Sequence, residues 1–136
     1  MRGSIHHLDL TVRDPRGSRA FYDAVLGHMG YRCVREDERG FDWELRAAAG
    51  GFASIGVTRA SAAGSARRHD RYSPGLHHVA WRAASRADVD ALHDLLRGIG
   101  AAVLDPPADY PQYGPGYYAV FFADPDGLKL EYVFQP

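Results

Sequence analysis

The chain of 136 residues contains one cysteine, Cys33, so no internal disulfide can form and a bridge-stapled fold is excluded. No apolar stretch approaches the roughly 18 residues that a membrane span needs. Neither sign of charge is in surplus: sixteen basic and seventeen acidic residues leave a formal net charge of −1. No global field therefore draws the chain to nucleic acid or to an anionic membrane. The one basic-looking run, 67-RRHDR-71, is short and reads as a solvated loop. No secretory signal pattern precedes the first apolar run, and the expectation is a soluble protein of the reducing cytoplasm. The remaining composition, 46% hydrophobic and 24% charged, suits one compact domain or two small halves sharing a core.

What is present is present twice. The segment 5-IHHLDLTVRD-14 matches 76-LHHVAWRAAS-85 in pattern, and His7 aligns with His78 about half a chain later. Each match runs into a helix signal. Asp14 predicts an N-cap with Pro15 at the first helical position, and Phe21, Tyr22, Val25 and Leu26 recur at helical spacing up to Gly27. Ser85 and Asp88 resemble a capping box, and Val89, Leu92, Leu96 and Ile99 form an apolar stripe that stops at Gly100. Strands are predicted at 31–37, 41–47 and 52–58, then at 101–105, 117–123 and 128–134. The segment 59–75 is small, polar and punctuated by Gly, Ser and Pro, as a linker would be. The expected architecture is α+β: one domain over 1–136, made of βαβββ modules at 1–58 and 76–136 that pair their sheets into a cleft.

Alternation along the strands sorts the side chains. Leu8, Leu10 and Val12 share one face, with His7, Asp9 and Thr11 on the other. In the last strand Leu128, Leu130, Tyr132 and Phe134 oppose Lys129, Glu131 and Val133. His7, His78 and Glu131 thus fall on the groove-facing sides, while His6 and His77 point toward the helices as packing or hydrogen-bonded histidines. Two imidazoles and a carboxylate make a site for a divalent metal with open positions. The competing reading is two ordinary strand histidines and a solvent-facing glutamate.

The HHL and HHV strand starts, 20-AFYDAVLG-27 and above all 124-DPDGLKLEY-132 resemble the vicinal oxygen chelate superfamily of glyoxalases, bleomycin-resistance proteins and extradiol dioxygenases. The resemblance covers essentially the whole chain. It implies metal ligands at His7, His78 and Glu131, a divalent ion (zinc, nickel, manganese, magnesium or iron), a small-molecule substrate and a homodimer. Three departures narrow the chemistry. Aligning Gly51 with Gly127 puts Ile55 where glyoxalase I enzymes carry a fourth, acidic ligand. Phe121 stands where the dioxygenases carry a tyrosine, and Asp9 where fosfomycin-modifying transferases carry a threonine.

Asp9 has two readings, as a base or substrate-orienting group and as the partner of Arg82 in a structural bridge. The segment 105-DPPADYPQYGPGYY-118 reads either as a lid, in which Tyr110, Tyr113, Tyr117 and Tyr118 donate hydrogen bonds or stack on a ligand and Tyr113 and Tyr118 serve as proton carriers, or as a rigid Pro-rich connection. The functional expectation is a metal-dependent lyase or isomerase of the glyoxalase type. The alternatives are an extradiol-type dioxygenase, or a non-catalytic drug-binding protein in which Trp43, Trp81 and Tyr113 stack on a flat ligand.

Overall fold

The computed structural model describes residues 2–48 and 50–136. The chain divides into two compact units, the first ending at Arg67 and the second beginning at Arg68.

The first unit runs β1 (His7–Val12), α1 (Pro15–His28), β2 (Arg32–Asp37), β3 (Gly40–Arg46) and β4 (Phe52–Arg59), followed by the one-turn helix α2 (Ala62–Ser65). Its strands form one mixed sheet in the order β1-β4-β3-β2, with β1 and β4 parallel and the other pairs antiparallel. The second unit runs β5 (His78–Arg82), α3 (Arg86–Gly98), β6 (Ala102–Asp109), β7 (Tyr118–Ala123) and β8 (Lys129–Phe134). Its sheet repeats the pattern, β5-β8-β7-β6, with only β5 and β8 parallel.

Local chemistry explains the helices. Asp14 accepts a hydrogen bond from the Arg16 amide, Ser85 accepts one from Asp88, and the Asp88 carboxylate accepts from the Ala84 amide. Both helices close with the same pair of bonds: Gly30 N to Gly27 O and Tyr31 N to Leu26 O, then Gly100 N to Arg97 O and Ala101 N to Leu96 O. Gly30 (φ 90°) and Gly100 (φ 69°) occupy the left-handed conformation that this closure demands. The first helix therefore outruns Gly27, because Gly30 is the residue that turns the chain.

Each helix buries its apolar stripe against its own sheet. Phe21, Tyr22, Val25 and Leu26 of α1 are buried, as are Leu10, Val12, Phe41, Trp43 and Val57 of the strands. In the second unit Val89, Leu92 and Leu96 are buried along with Val120, Phe122 and Leu130. The strand expected to end at residue 105 continues to Asp109 through Pro106 and Pro107. Those prolines are tolerated because β6 is an edge strand, and its register with β7 is irregular on both sides of Asp105. The segment 105–118 is thus half strand and only partly a loop.

Leu92 is fully buried. Leu92→Ala is expected to lower unfolding stability by about 3 kcal/mol, read as a lower urea midpoint at unchanged slope.

Candidate functional site

The second unit gathers one buried carboxylate and its partners. Glu131 lies in the middle of β8 and is 2% exposed. Its register partners are Ala80 on β5 and Phe121 on β7. The parallel pairing also places His78, two residues before Ala80, on the same face as Glu131. His78 Nε2 approaches Glu131 Oε2 to 3.3 Å, and the Tyr117 hydroxyl donates to Glu131 Oε1 at 2.5 Å. Both carboxylate oxygens are therefore engaged, as a buried charge requires. Burial, together with the hydrogen bond to Glu131, pushes the Tyr117 phenol well above its ordinary value of 10.0.

Around this pair lies an aromatic group. Tyr110 stacks on Tyr113 (centroids 5.8 Å apart), Tyr113 meets Tyr117 edge-on at 5.4 Å, and Tyr110 meets Phe121 edge-on at 5.3 Å. Lys129 holds its ammonium 4.3 Å from the Phe121 ring centroid.

Tyr118 faces the other way. Its hydroxyl donates to Asp90 of α3 at 2.6 Å, and the Arg86 guanidinium covers its ring at 3.9 Å. Tyr117, one residue earlier, is the tyrosine on Glu131; the sequence offers it as one of four possible hydrogen-bond donors but gives the proton-carrying role to Tyr113 and Tyr118. The missed signal was the β7–β8 register, in which the face carrying Phe121 and Glu131 extends back to position 117.

In the first unit His7 is exposed, with Nε2 3.9 Å from Asp9 Oδ2. The register across β1, β4 and β3 is Asp9, Gly56, Asp42. Arg35 grips Asp42 with two bonds, 2.6 and 2.9 Å, and also bonds Asp37. Asp9, Arg35, Asp37, Arg39, Asp42 and Thr58 line a depression of about 450 Å³. A Cβ at Gly56 would lie 2.1 Å from Asp9 Oδ1 and 3.0 Å from Asp42 Oδ1. The bare glycine is what lets both carboxylates lean over β4.

This register corrects the placement of Ile55. His7 pairs with Ser54 and His78 with Lys129, so the first-unit counterpart of Glu131 is Gly56. Ile55 is buried on the helix side of the sheet. The position still lacks an acid, but Asp9 brings a carboxylate to the same spot. Within the second unit Arg82 donates to the Gln135 carbonyl at 3.3 Å.

Two further expectations change. Trp43 is 1% exposed and donates to Asp23 at 2.8 Å, so it is a core residue and not a stacking surface. His6 and His77 are exposed and not turned under the helices, although each is hydrogen-bonded, the second of the two expected readings, to its following histidine. Partial desolvation beside His78 and the nearby Arg71 and Lys129 charges hold His77 below its ordinary value. Among the described residues, neither unit by itself gathers three His, Cys, Asp or Glu side chains into a group that could hold a metal. No helix among them is long and apolar enough to cross a membrane.

Two units of identical βαβββ topology, each opening on a histidine strand, define a class of duplicated α+β proteins. The chain belongs to the Glyoxalase/Bleomycin resistance protein/Dioxygenase superfamily, whose family model matches residues 4–132. A solved structure of a candidate glyoxalase from Bacillus halodurans is 30% identical with a TM-score of 0.82, covering 98% of this chain and 97% of that one. A glyoxalase/bleomycin resistance protein from Albidiferax ferrireducens T118 is 25% identical with a TM-score of 0.73, over 97% and 98% of the two chains. The uncharacterized protein YqjT of Bacillus subtilis (strain 168) is 31% identical over 129 residues, 95% of this chain and 97% of YqjT.

Tyr117→Phe leaves Glu131 Oε1 without its hydroxyl donor and is expected to cost about 1–3 kcal/mol. The raised phenol value also fixes a pH response. The folded state holds the phenolic proton more tightly, so this contribution is complete below pH 10.0 and is lost as pH rises beyond it. Urea midpoints measured from pH 9 upward should decline above about pH 10, and decline less in Tyr117→Phe.

Proposed function

We propose that this protein is a metal-dependent lyase or isomerase of the glyoxalase type, acting on a small substrate that presents two neighbouring oxygens to a divalent ion. The proposed ligands are His78 and Glu131 of the second unit and His7 of a first unit, in the same chain or in a second copy. The observation that carries the reading is the separation of 3.3 Å between His78 Nε2 and Glu131 Oε2. Two donors bound to one ion at about 2.1 Å stand about 3.0–3.4 Å apart for octahedral to tetrahedral angles. Zinc, nickel, manganese, magnesium and iron all accept such a nitrogen and oxygen set.

When bound, the ion supplies Lewis-acid stabilisation of a developing enolate or oxyanion. The chain's own residues do the rest. Tyr117 holds Oε1 of Glu131 and so leaves Oε2 directed at His78. Asp9, exposed beside His7, is the group proposed to take or return the substrate proton. Tyr113, 60% exposed on the aromatic group, offers a hydroxyl and a ring face to the substrate. The proposed setting is a cytoplasmic homodimer.

A second reading, a ring-cleaving dioxygenase with iron, gains support from Tyr117, which brings to Glu131 a phenol that Phe121 lacks. Oxygen uptake by iron-loaded protein with catechols separates the two.

The direct test is elemental analysis of protein purified without a histidine tag. Wild type should carry roughly one divalent ion per chain, and His78→Ala and Glu131→Gln less than about a tenth of that. Equal metal content in all three rejects the ligand assignment.

A further inference from the structure

The face of the second unit that carries Glu131 and His78 also carries a positive charge that neither the fold nor the ligand assignment uses. Lys129 stands two residues before Glu131 on β8 and is the register partner of His78 on β5. Alternation sends its side chain to the same side of the sheet as both. Across β7 the register partner of Lys129 is Ala123, whereas Phe121 is opposite Glu131. Yet the half-buried lysine rests its ammonium 4.3 Å from the Phe121 ring centroid. The contact is diagonal, and it brings the charge along the strand toward Glu131.

An ammonium has three N–H donors, and a ring face meets it from one side only. No acid of the second unit completes its shell. Both oxygens of Glu131 are engaged, by His78 and Tyr117. Among the described residues of this unit no carboxylate stands within ion-pair distance of Lys129. The duplicated topology does not require the lysine and the ring. Their first-unit counterparts are Ser54, opposite His7, and Asp42, opposite Gly56. Beyond Phe121 the face is aromatic: Tyr110 meets Phe121 edge-on and stacks on Tyr113, which is 60% exposed. An ammonium without an acid, near an open ring, matches the two ends of a flat organic anion.

We infer that Lys129 is a specificity-determining residue that seats the carboxylate of a small planar substrate, an aromatic or conjugated carboxylate whose body lies against Tyr113. This assignment rests on the same substrate-binding face as the metal reading and names the class of substrate within it. The ammonium gives a charge-assisted N–H donor to a carboxylate oxygen, and Phe121 holds the lysine in place without neutralising it. A purely structural lysine would instead use its apolar stem to cover Phe121, a task that methionine performs as well.

The test uses benzoate and benzamide, flat probes of nearly equal shape that differ in charge. Each is titrated into the metal-free full chain, and NMR follows the Lys129 side-chain and Phe121 ring signals. Benzoate should shift both sets of signals and bind about tenfold more tightly than benzamide. Lys129→Met should remove that preference and leave benzamide affinity unchanged, while Lys129→Arg should keep benzoate affinity within about threefold of wild type. Equal affinity for the two probes, a preference that survives in Lys129→Met, benzoate that leaves the Lys129 signals unmoved, or no benzoate binding at all overturns the inference. These wild-type signals are read without any variant, and none of the measurements needs a metal. A benzoate preference in a chain that takes up no divalent ion therefore ends the metal reading and keeps the seat at Lys129. Metal bound through His78 and Glu131 with no such preference does the reverse.

Discussion

A carboxylate removed from water must find partners inside the protein, and Glu131 imposes that demand on the whole second unit. The turn before it makes the arrangement possible. Asp124 is buried and accepts from the amides of Asp126 and Leu128, at 2.9 and 2.8 Å, which fixes where β8 starts. From that start, alternation puts Leu130 and Tyr132 against α3 and Glu131 on the opposite face, beside His78 and Tyr117. A slip of one residue would expose Leu130 and drive Glu131 under the helix, so the hydrophobic core and the polar site enforce one register.

The two units share a topology and divide the chemistry. In the second, the acid stands on the strand parallel to the histidine strand. In the first, the corresponding strand carries Gly56, and the acids come from either side of it, Asp9 on β1 and Asp42 on β3. Within the first unit Asp42 is committed to Arg35, whereas among the described residues of that unit Asp9 has no guanidinium bound to it, which leaves the two carboxylates in different electrostatic settings. A guanidinium on one acid and none on the other is a usual way for neighbouring carboxylates to take separate roles.

Much of this was legible in the residues, because each element announces itself locally. Asp14-Pro15 and Ser85 cap the helices as their chemistry predicts, and the apolar stripes of α1 and α3 match the buried faces except at Ile99, which follows α3 and is exposed. The pair His78 and Glu131 followed from strand alternation together with the internal repeat and the family resemblance. What escaped depends on register between strands. Gly56 was mistaken for Ile55 because the count from Gly51 to β4 differs by one from the count from Gly127 to β8. Tyr117 was not told apart from the other tyrosines of its segment because only the β7–β8 pairing fixes which of them shares a face with Glu131. The extension of β6 through two prolines needed knowledge that it lies at an edge. The contacts of His6 and His77 with their neighbours had no sequence signal beyond the doubled histidines.

The crowding at Gly56 has an evolutionary consequence. Positions 9 and 56 compete for one volume, since even a methyl group at 56 would collide with the Asp9 carboxylate. Mutations at these sites cannot be accepted independently. In descendants and cousins that acquire a side chain on this strand, residue 9 must shrink or swing away first, so the two columns should covary: acid beside glycine, or small beside large.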